Sequence, residues 1–155
     1  MTKSLRKFLK KHDYIGVKLM PLKIAGNNDA VHFLIKARVN GKKGYFLLDT
    51  GASASVVDML KAGKFRIKEH NDQPEINAVS ASGSDLNVQL STPNTVKIKS
   101  WKAKKVDLML MDISHINTMT GDFPFEVDGI IGSDILQRGK AILDFDKKKL
   151  YLKLT

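Results

Sequence analysis

The stretch VHFLIKARVNGKKGYFLLDT, residues 31–50, constrains the fold more than any other part of the chain. Val31, Phe33, Ile35, Ala37 and Val39 fall on one face of an extended segment, with His32, Lys36 and Arg38 opposite, the two-residue period of a half-buried strand. Asn40-Gly41 follows, a pair favoured in two-residue hairpin turns because such turns need positive φ. The returning strand, residues 44–48, runs straight into Asp49.

The rest of the sequence has the same texture. Residues 4–12 carry Leu5, Phe8 and Leu9 at helical spacing and predict a short basic amphipathic helix, which would cover a sheet edge, a partner or a membrane surface. VVDMLKAGKF reads as a short strand and one or two helical turns before Phe65. EINAVSASGSDLNVQLS reads as two polar strands around the tip Ala81-Ser82-Gly83-Ser84; with few large apolar residues to anchor it, this hairpin is expected to move. Strands are expected over 95–100 and 104–111, a short helix in ISHINTMT, and another after IIG in IIGSDIL. KAILDFD and KLYLKL predict a closing hairpin, the second strand alternating Lys with Leu150, Tyr151 and Leu152 as an edge strand would. Short strands, frequent turns and few helices indicate a mainly β fold, a small barrel or sandwich. A chain of 155 residues suits one domain, expected over 15–155 behind an N-terminal basic segment, 1–14.

The absence of cysteine excludes disulfides, thiol catalysis and thiolate metal sites. No apolar run has the length of a signal peptide or a membrane span, so a cytoplasmic protein is expected. The net charge of +10, from 26 Lys and Arg against 16 Asp and Glu, raises the prospect of a nucleic-acid or membrane partner. Lysines are spread along the chain, however, and a solvated basic surface is the expectation, with nucleic acid not the expected partner. Trp101 among Lys97, Lys99, Lys102, Lys104 and Lys105 is expected to anchor a strand to the core rather than to stack on a base. The histidines at 12, 32, 70 and 115 lack metal-ligand spacing, NGKKG lacks the pattern of a phosphate loop, and GASAS lacks the final Gly of a nucleophile elbow. No metal, cofactor or nucleophilic serine is expected.

Asp49 stands out against this background, because an anion at a strand end is a poor strand residue and costly to bury without partners. Gly51 lets the chain turn sharply, Thr50 and Ser53 supply hydroxyls, and Ala52 keeps the turn narrow, so the sequence presents a carboxylate from a rigid strand end among donors. That is how an acid-base group is held.

LLDTGAS, residues 47–53, resembles the active-site loop of the aspartic proteases, and DGIIGSDIL, residues 128–136, resembles their downstream segment of two hydrophobic residues and Gly before a short helix. One copy of each in a chain this short is similar to the retropepsin-like group, the single-lobe relatives of pepsin that include the retroviral proteases. The order of elements matches over about residues 31–152. The resemblance implies a small closed antiparallel β-barrel of retropepsin type with one or two short helices. Asp49 would be the catalytic residue; Thr50, Gly51, Ala52 and Ser53 would support its loop; Ile130, Ile131 and Gly132 would cross behind it. Val79, Ser80, Ala81, Ser82, Gly83 and Ser84 would form the flap over the substrate, with Leu86 contributing to its pockets.

Hydrolysis by this route needs two carboxylates sharing one proton, and one Asp-Thr-Gly supplies one of them. The simplest second source is Asp49 of another copy, which predicts an obligate homodimer cleaving a peptide or protein substrate. Asp128 and Asp134 are not expected to be catalysts: Asp128 lies in the supporting segment, and Asp134 reads as a polar helix residue or a partner of nearby backbone. Ser53 and Ser133 stand where retroviral members carry an Asp or Glu and an Arg that pair, which points to a cellular, bacterial-type branch. The interval between Asp49 and Gly132 is also longer than in the compact retroviral enzymes, with the surplus over 101–127. The competing expectation is an inactive module on the same barrel that binds peptide or nucleic acid.

Overall fold

The turn at Asn40-Gly41 forms as its residues demand, with φ of 49° at Asn40 and 82° at Gly41, the positive values of a two-residue hairpin turn. The structure is a computed structural model that describes residues 3–23, 31–68, 76–79, 85–121 and 123–154, with the backbone alone at 76–79 and 85–86. In chain order its elements are α1 (Lys3–Lys11), β1 (Tyr14–Lys18), β2 (Met20–Leu22), β3 (His32–Val39), β4 (Lys42–Leu48), β5 (Val56–Asp58), β6 (Ile76–Val79), β7 (Asp85–Ile98) and β8 (Trp101–Met111). They continue as α2 (Ser114–Met119), β9 (Gly129–Ile131), α3 (Ser133–Arg138), β10 (Ile142–Asp144) and β11 (Lys149–Lys153). A 3-10 turn, Met59–Lys61, follows β5, its first turn closed by the Asp58 carboxylate accepting from the Leu60 N–H.

Strands line up as β2-β3-β4-β9-β5-β8-β7-β6, and β3 also meets β7 through Arg38 opposite Lys97 and Val39 opposite Val96. The sheet therefore curls until it is nearly closed, as expected for a barrel of this size. Its pairings are antiparallel except β4 with β9 and β5 with β8. The first of these parallel pairs positions the site, because β9 is inserted between β4 and β5, which are consecutive in sequence. The segment joining β4 to β5, which carries Asp49, must then arch over the end of β9. A second sheet, β1-β11-β10, contributes Val17, Leu150 and Leu152 to the main core.

The main core gathers Phe33, Ile35, Phe46, Phe65, Leu108 and Ile131, with the rings of Phe46 and Phe65 tilted at a centroid distance of 5.7 Å. Each such side chain contributes about 1.5–3 kcal/mol on burial. A smaller cluster outside the barrel joins Leu22, Leu34, Val56, Ile113, Ile116 and Val127.

This second cluster accounts for two departures from the alternation read in β3. Leu34, on the polar face of the pattern, is fully buried, because α2 and its flanks cover that side of the sheet. Val31 lies before the strand and is 56% exposed. β7 is one long strand where two were expected: register shifts on either side of Asn94 absorb Pro93, and the Asn94 amide bonds to Ser91 O and Oγ and accepts from Asn40 Nδ2. β11 is the central strand of its sheet, not an edge, and Leu150, Tyr151 and Leu152 are all buried. The expectation failed because β1, ahead of the barrel, covers the side that the alternating lysines seemed to leave open. α1 forms with only Leu9 buried, leaving Leu5 and Phe8 exposed. Trp101 is buried in the core as the anchor of β8. No helix among the described residues is long and apolar enough to cross a membrane.

Candidate active site

Asp49 sits at the end of β4, half-buried, and two backbone contacts fix it there. Its N–H donates to the Ile131 carbonyl at 3.0 Å, continuing the β4–β9 ladder by one bond, and its own carbonyl accepts from the Ala52 N–H at 3.2 Å, closing the turn. The carboxylate is oriented by the Gly51 N–H, which donates to Asp49 Oδ1 at 2.9 Å. A Cβ at Gly51 would stand 3.2 Å from that oxygen, so glycine keeps the approach open. Thr50, Gly51 and Ser53 are exposed, and Ala52 is half-buried.

Ile130 and Ile131 end β9, and Gly132 follows them against this loop. Gly132 is packed so closely that a Cβ would lie 2.7 Å from the Ala52 carbonyl and 2.9 Å from that of Ala54. The Ser133 N–H donates to Ala52 O at 2.7 Å, tying the start of α3 to the loop. Ser53 and Ser133 thus flank a backbone bond where the retroviral pattern places a charged pair.

A third element of support involves Ser55 and Asp134. Ser55 is fully buried; its N–H and hydroxyl donate to the two Asp134 oxygens at 3.0 and 2.6 Å, and its Oγ accepts from the Gly132 N–H at 2.9 Å. Asp134 Oδ1 also accepts from the Ile135 N–H at 2.8 Å, the nearby-backbone contact foreseen for it. One carboxylate therefore locks the far end of the Asp49 loop, the Gly132 peptide and the first turn of α3 together. Asp134→Ala leaves the buried Ser55 donors unsatisfied and is expected to cost about 1–3 kcal/mol, measured as a lowered urea midpoint with an unchanged m-value. Asp134→Asn keeps the acceptor and is expected to lose less.

Asp128 ties the barrel wall together. It is 1% exposed, accepts from the Tyr45 N–H at 2.9 Å, and receives Lys64 at 2.8 Å and Lys61 at 3.3 Å. Burial depresses the pKa of the Lys61 ammonium, but Glu126 and Asp128 more than offset this and hold it above the ordinary 10.5, so the cation persists at neutral pH. Gly44 makes room for this: a Cβ there would lie 2.9 Å from Asp128 Oδ2.

Of the residues expected to form a flap, Val79 ends β6, which pairs antiparallel with β7. Ser80, Ala81, Ser82, Gly83 and Ser84 lie outside the described residues, as do the Val79 and Leu86 side chains. Among the described residues no three His, Asp or Glu side chains converge as metal ligands would. The long interval over 101–127 forms β8 and α2, and the Asn117 side chain brackets Val127, donating to its carbonyl at 3.1 Å and accepting from its N–H at 2.7 Å.

An Asp-Thr-Gly turn arched over an inserted strand, with a Gly and a short helix behind it, defines a retropepsin-like aspartic protease fold. Residues 35–138 match the family model described as gag-polyprotein putative aspartyl protease, and the chain belongs to that family. A search of curated proteins finds no significant match. Among solved structures, the chain is similar to a retropepsin-like aspartic protease from Rickettsia conorii at 24% identity, covering 91% of this chain and 94% of that one, with a TM-score of 0.50. EIAV protease in complex with the inhibitor HBY-793 matches at 23% identity over 78% of this chain and all of that one, TM-score 0.53. The retroviral protease-like domain of Ddi1 from Leishmania major matches at 14% identity over 77% and 86%, TM-score 0.53. At these identities the structural likeness establishes the fold.

Proposed function

We propose that the protein is an aspartic endopeptidase whose catalytic pair is Asp49 from each of two copies of the chain. The observation that carries this reading is the Asp49 carboxylate itself, held at a strand end by Ile131 and Gly51 with its surroundings open on the Thr50 side. Two adjacent carboxylates resist joint ionisation, so a single proton stays with the pair over a working pH range. The ionised member takes a proton from water, whose oxygen bonds to the scissile carbonyl carbon, while the protonated one donates to the carbonyl oxygen; collapse of the tetrahedral intermediate then re-forms the carbonyl and breaks the C–N bond as the pair gives the nitrogen the proton taken from water. The Gly51 carbonyl and the flap backbone would hold the peptide as an added strand.

The surface beside the loop supports a two-fold partner. A mainly apolar hollow of about 320 Å³ lies against Thr50 and is lined by Leu48, Leu136, Ala141, Leu143 and Leu150. β10 is an outer strand of its sheet, and Ile142 on it is 38% exposed. A second copy seated there buries this apolar surface and brings the two Thr50 hydroxyls, and with them the two Asp49 loops, toward one axis.

Cleavage of a mixed peptide library tests the reading. Activity is expected on an acidic, bell-shaped pH profile and is expected to be insensitive to chelators. A library left intact at every pH by protein shown to be dimeric would sink it.

A further inference from the structure

Cationic residues scattered along the sequence converge in space on the barrel. Arg6 and Lys10 of α1, Lys99 between β7 and β8, and Lys149 of β11 surround a hollow of about 340 Å³ with the half-buried Tyr14 on its wall. Lys99 and Gly16 also line a neighbouring hollow of about 490 Å³, where Lys18 and Lys36 join them. Lys36 and Lys99 continue into a third of about 180 Å³, completed by Arg38, Lys43 and Lys97. These shared residues make the three hollows one furrow.

No carboxylate among the described residues lines the furrow, and the ion pairs of the described residues involve none of its cations. The contacts these cations do make are with neutral groups: Lys99 Nζ donates to the Gly16 carbonyl at 2.9 Å, Arg38 to the Gly41 carbonyl at 3.1 Å, and Lys36 Nζ lies 5.8 Å from the Tyr45 ring centre. The register sharpens the point. Arg38 lies directly opposite Lys43 on β4 and directly opposite Lys97 on β7, like charges on both sides. Like charges directly opposite one another destabilise a sheet. A bound polyanion offsets that repulsion.

We propose that this furrow binds the phosphodiester backbone of single-stranded nucleic acid, without regard to base sequence. The inference is independent of Asp49 and of the proposed peptidase activity. A linear polyanion fits a row of three linked hollows, and the Tyr14 ring offers a base a stacking face. β1 is an outer strand of its sheet and lines two of the hollows, but Lys99 Nζ already occupies the Gly16 carbonyl at its middle, so an acidic peptide would find that edge acceptor taken. A membrane surface fits less well: Phe8, 54% exposed, is two residues from Arg6, about 200° around the helix, so the apolar flank of α1 faces away from the furrow.

Fluorescence anisotropy of the full chain with a labelled oligothymidylate of about 20 nucleotides tests this. Binding is expected to weaken steeply with salt. The triple variant Lys10→Gln, Lys99→Gln, Lys149→Gln is expected to lose tenfold or more in affinity and about 2 units of the log-log salt slope, given roughly 0.7 per phosphate contact. A control triple variant at Lys68, Lys104 and Lys147, exposed residues outside the furrow, is expected to bind within about twofold of the wild type. Thermal midpoints of both variants confirm that they fold. The proposal is overturned by an oligonucleotide that fails to bind at low salt, by equal losses in the two triple variants, or by anionic vesicles or polyglutamate competing better than the oligonucleotide.

Discussion

Asp49→Asn is expected to lower peptide cleavage by about 10³-fold or more while leaving the fold intact. Asparagine keeps the size of the side chain and an oxygen that accepts the Gly51 N–H, so the loop bonds to Ile131 and Ala52 remain. What is lost is the ability to accept a proton from water. A half-buried, shape-preserving change of this kind shifts stability by no more than about 0.5 kcal/mol, so thermal midpoint and circular dichroism should match the wild type. Retention of a tenth or more of the wild-type rate would remove Asp49 from the reaction.

Gly129→Ala is expected to do the converse, destroying stability at a position that does no chemistry. β9 runs between β4 and β5 so tightly that a Cβ at Gly129 would overlap the Val56 carbonyl and stand 2.9 Å from two carbons of the Phe46 ring. Neither neighbour can withdraw: the carbonyl belongs to the β5 backbone, and Phe46 is 1% exposed in the core. Overpacking typically costs about 1–3 kcal/mol, and backbone as the obstacle places this case at or above the top of that range. Gly63→Ala is the control, since nothing lies within 4 Å of its added Cβ, and it should shift stability by less than about 0.5 kcal/mol. Equilibrium urea unfolding compares the two; similar midpoints would contradict the packing described here.

The sequence displayed the parts of this fold that are local. Alternation and turn chemistry made the β3–β4 hairpin legible, down to the positive φ of Asn40 and Gly41, and the run into Asp49 followed from it. Two hydrophobic residues, a glycine and a helical turn marked β9 and α3. What escaped was set by distant partners. Nothing near Leu34 says that α2 will cover it, and nothing near Leu150 to Leu152 says that β1 will pair along β11 and turn an expected edge into a centre. Ser55 and Asp134 each looked like an ordinary polar residue, and only folding across a separation of 79 positions makes them one lock behind the Asp49 loop. The basic furrow was invisible for the same reason, since a charge spread evenly in sequence carries no record of where strands will gather it.

Mixing wild-type chains with Asp49→Asn chains tests the shared catalytic pair most directly. The two are refolded together at a fixed wild-type amount, and the peptidase rate is followed as the proportion of substituted chain rises. If each site needs Asp49 from both copies, the rate falls to about half in an equimolar mixture and to about a tenth at a ninefold excess. A rate that stays constant under the same excess would show that one chain hydrolyses peptides alone.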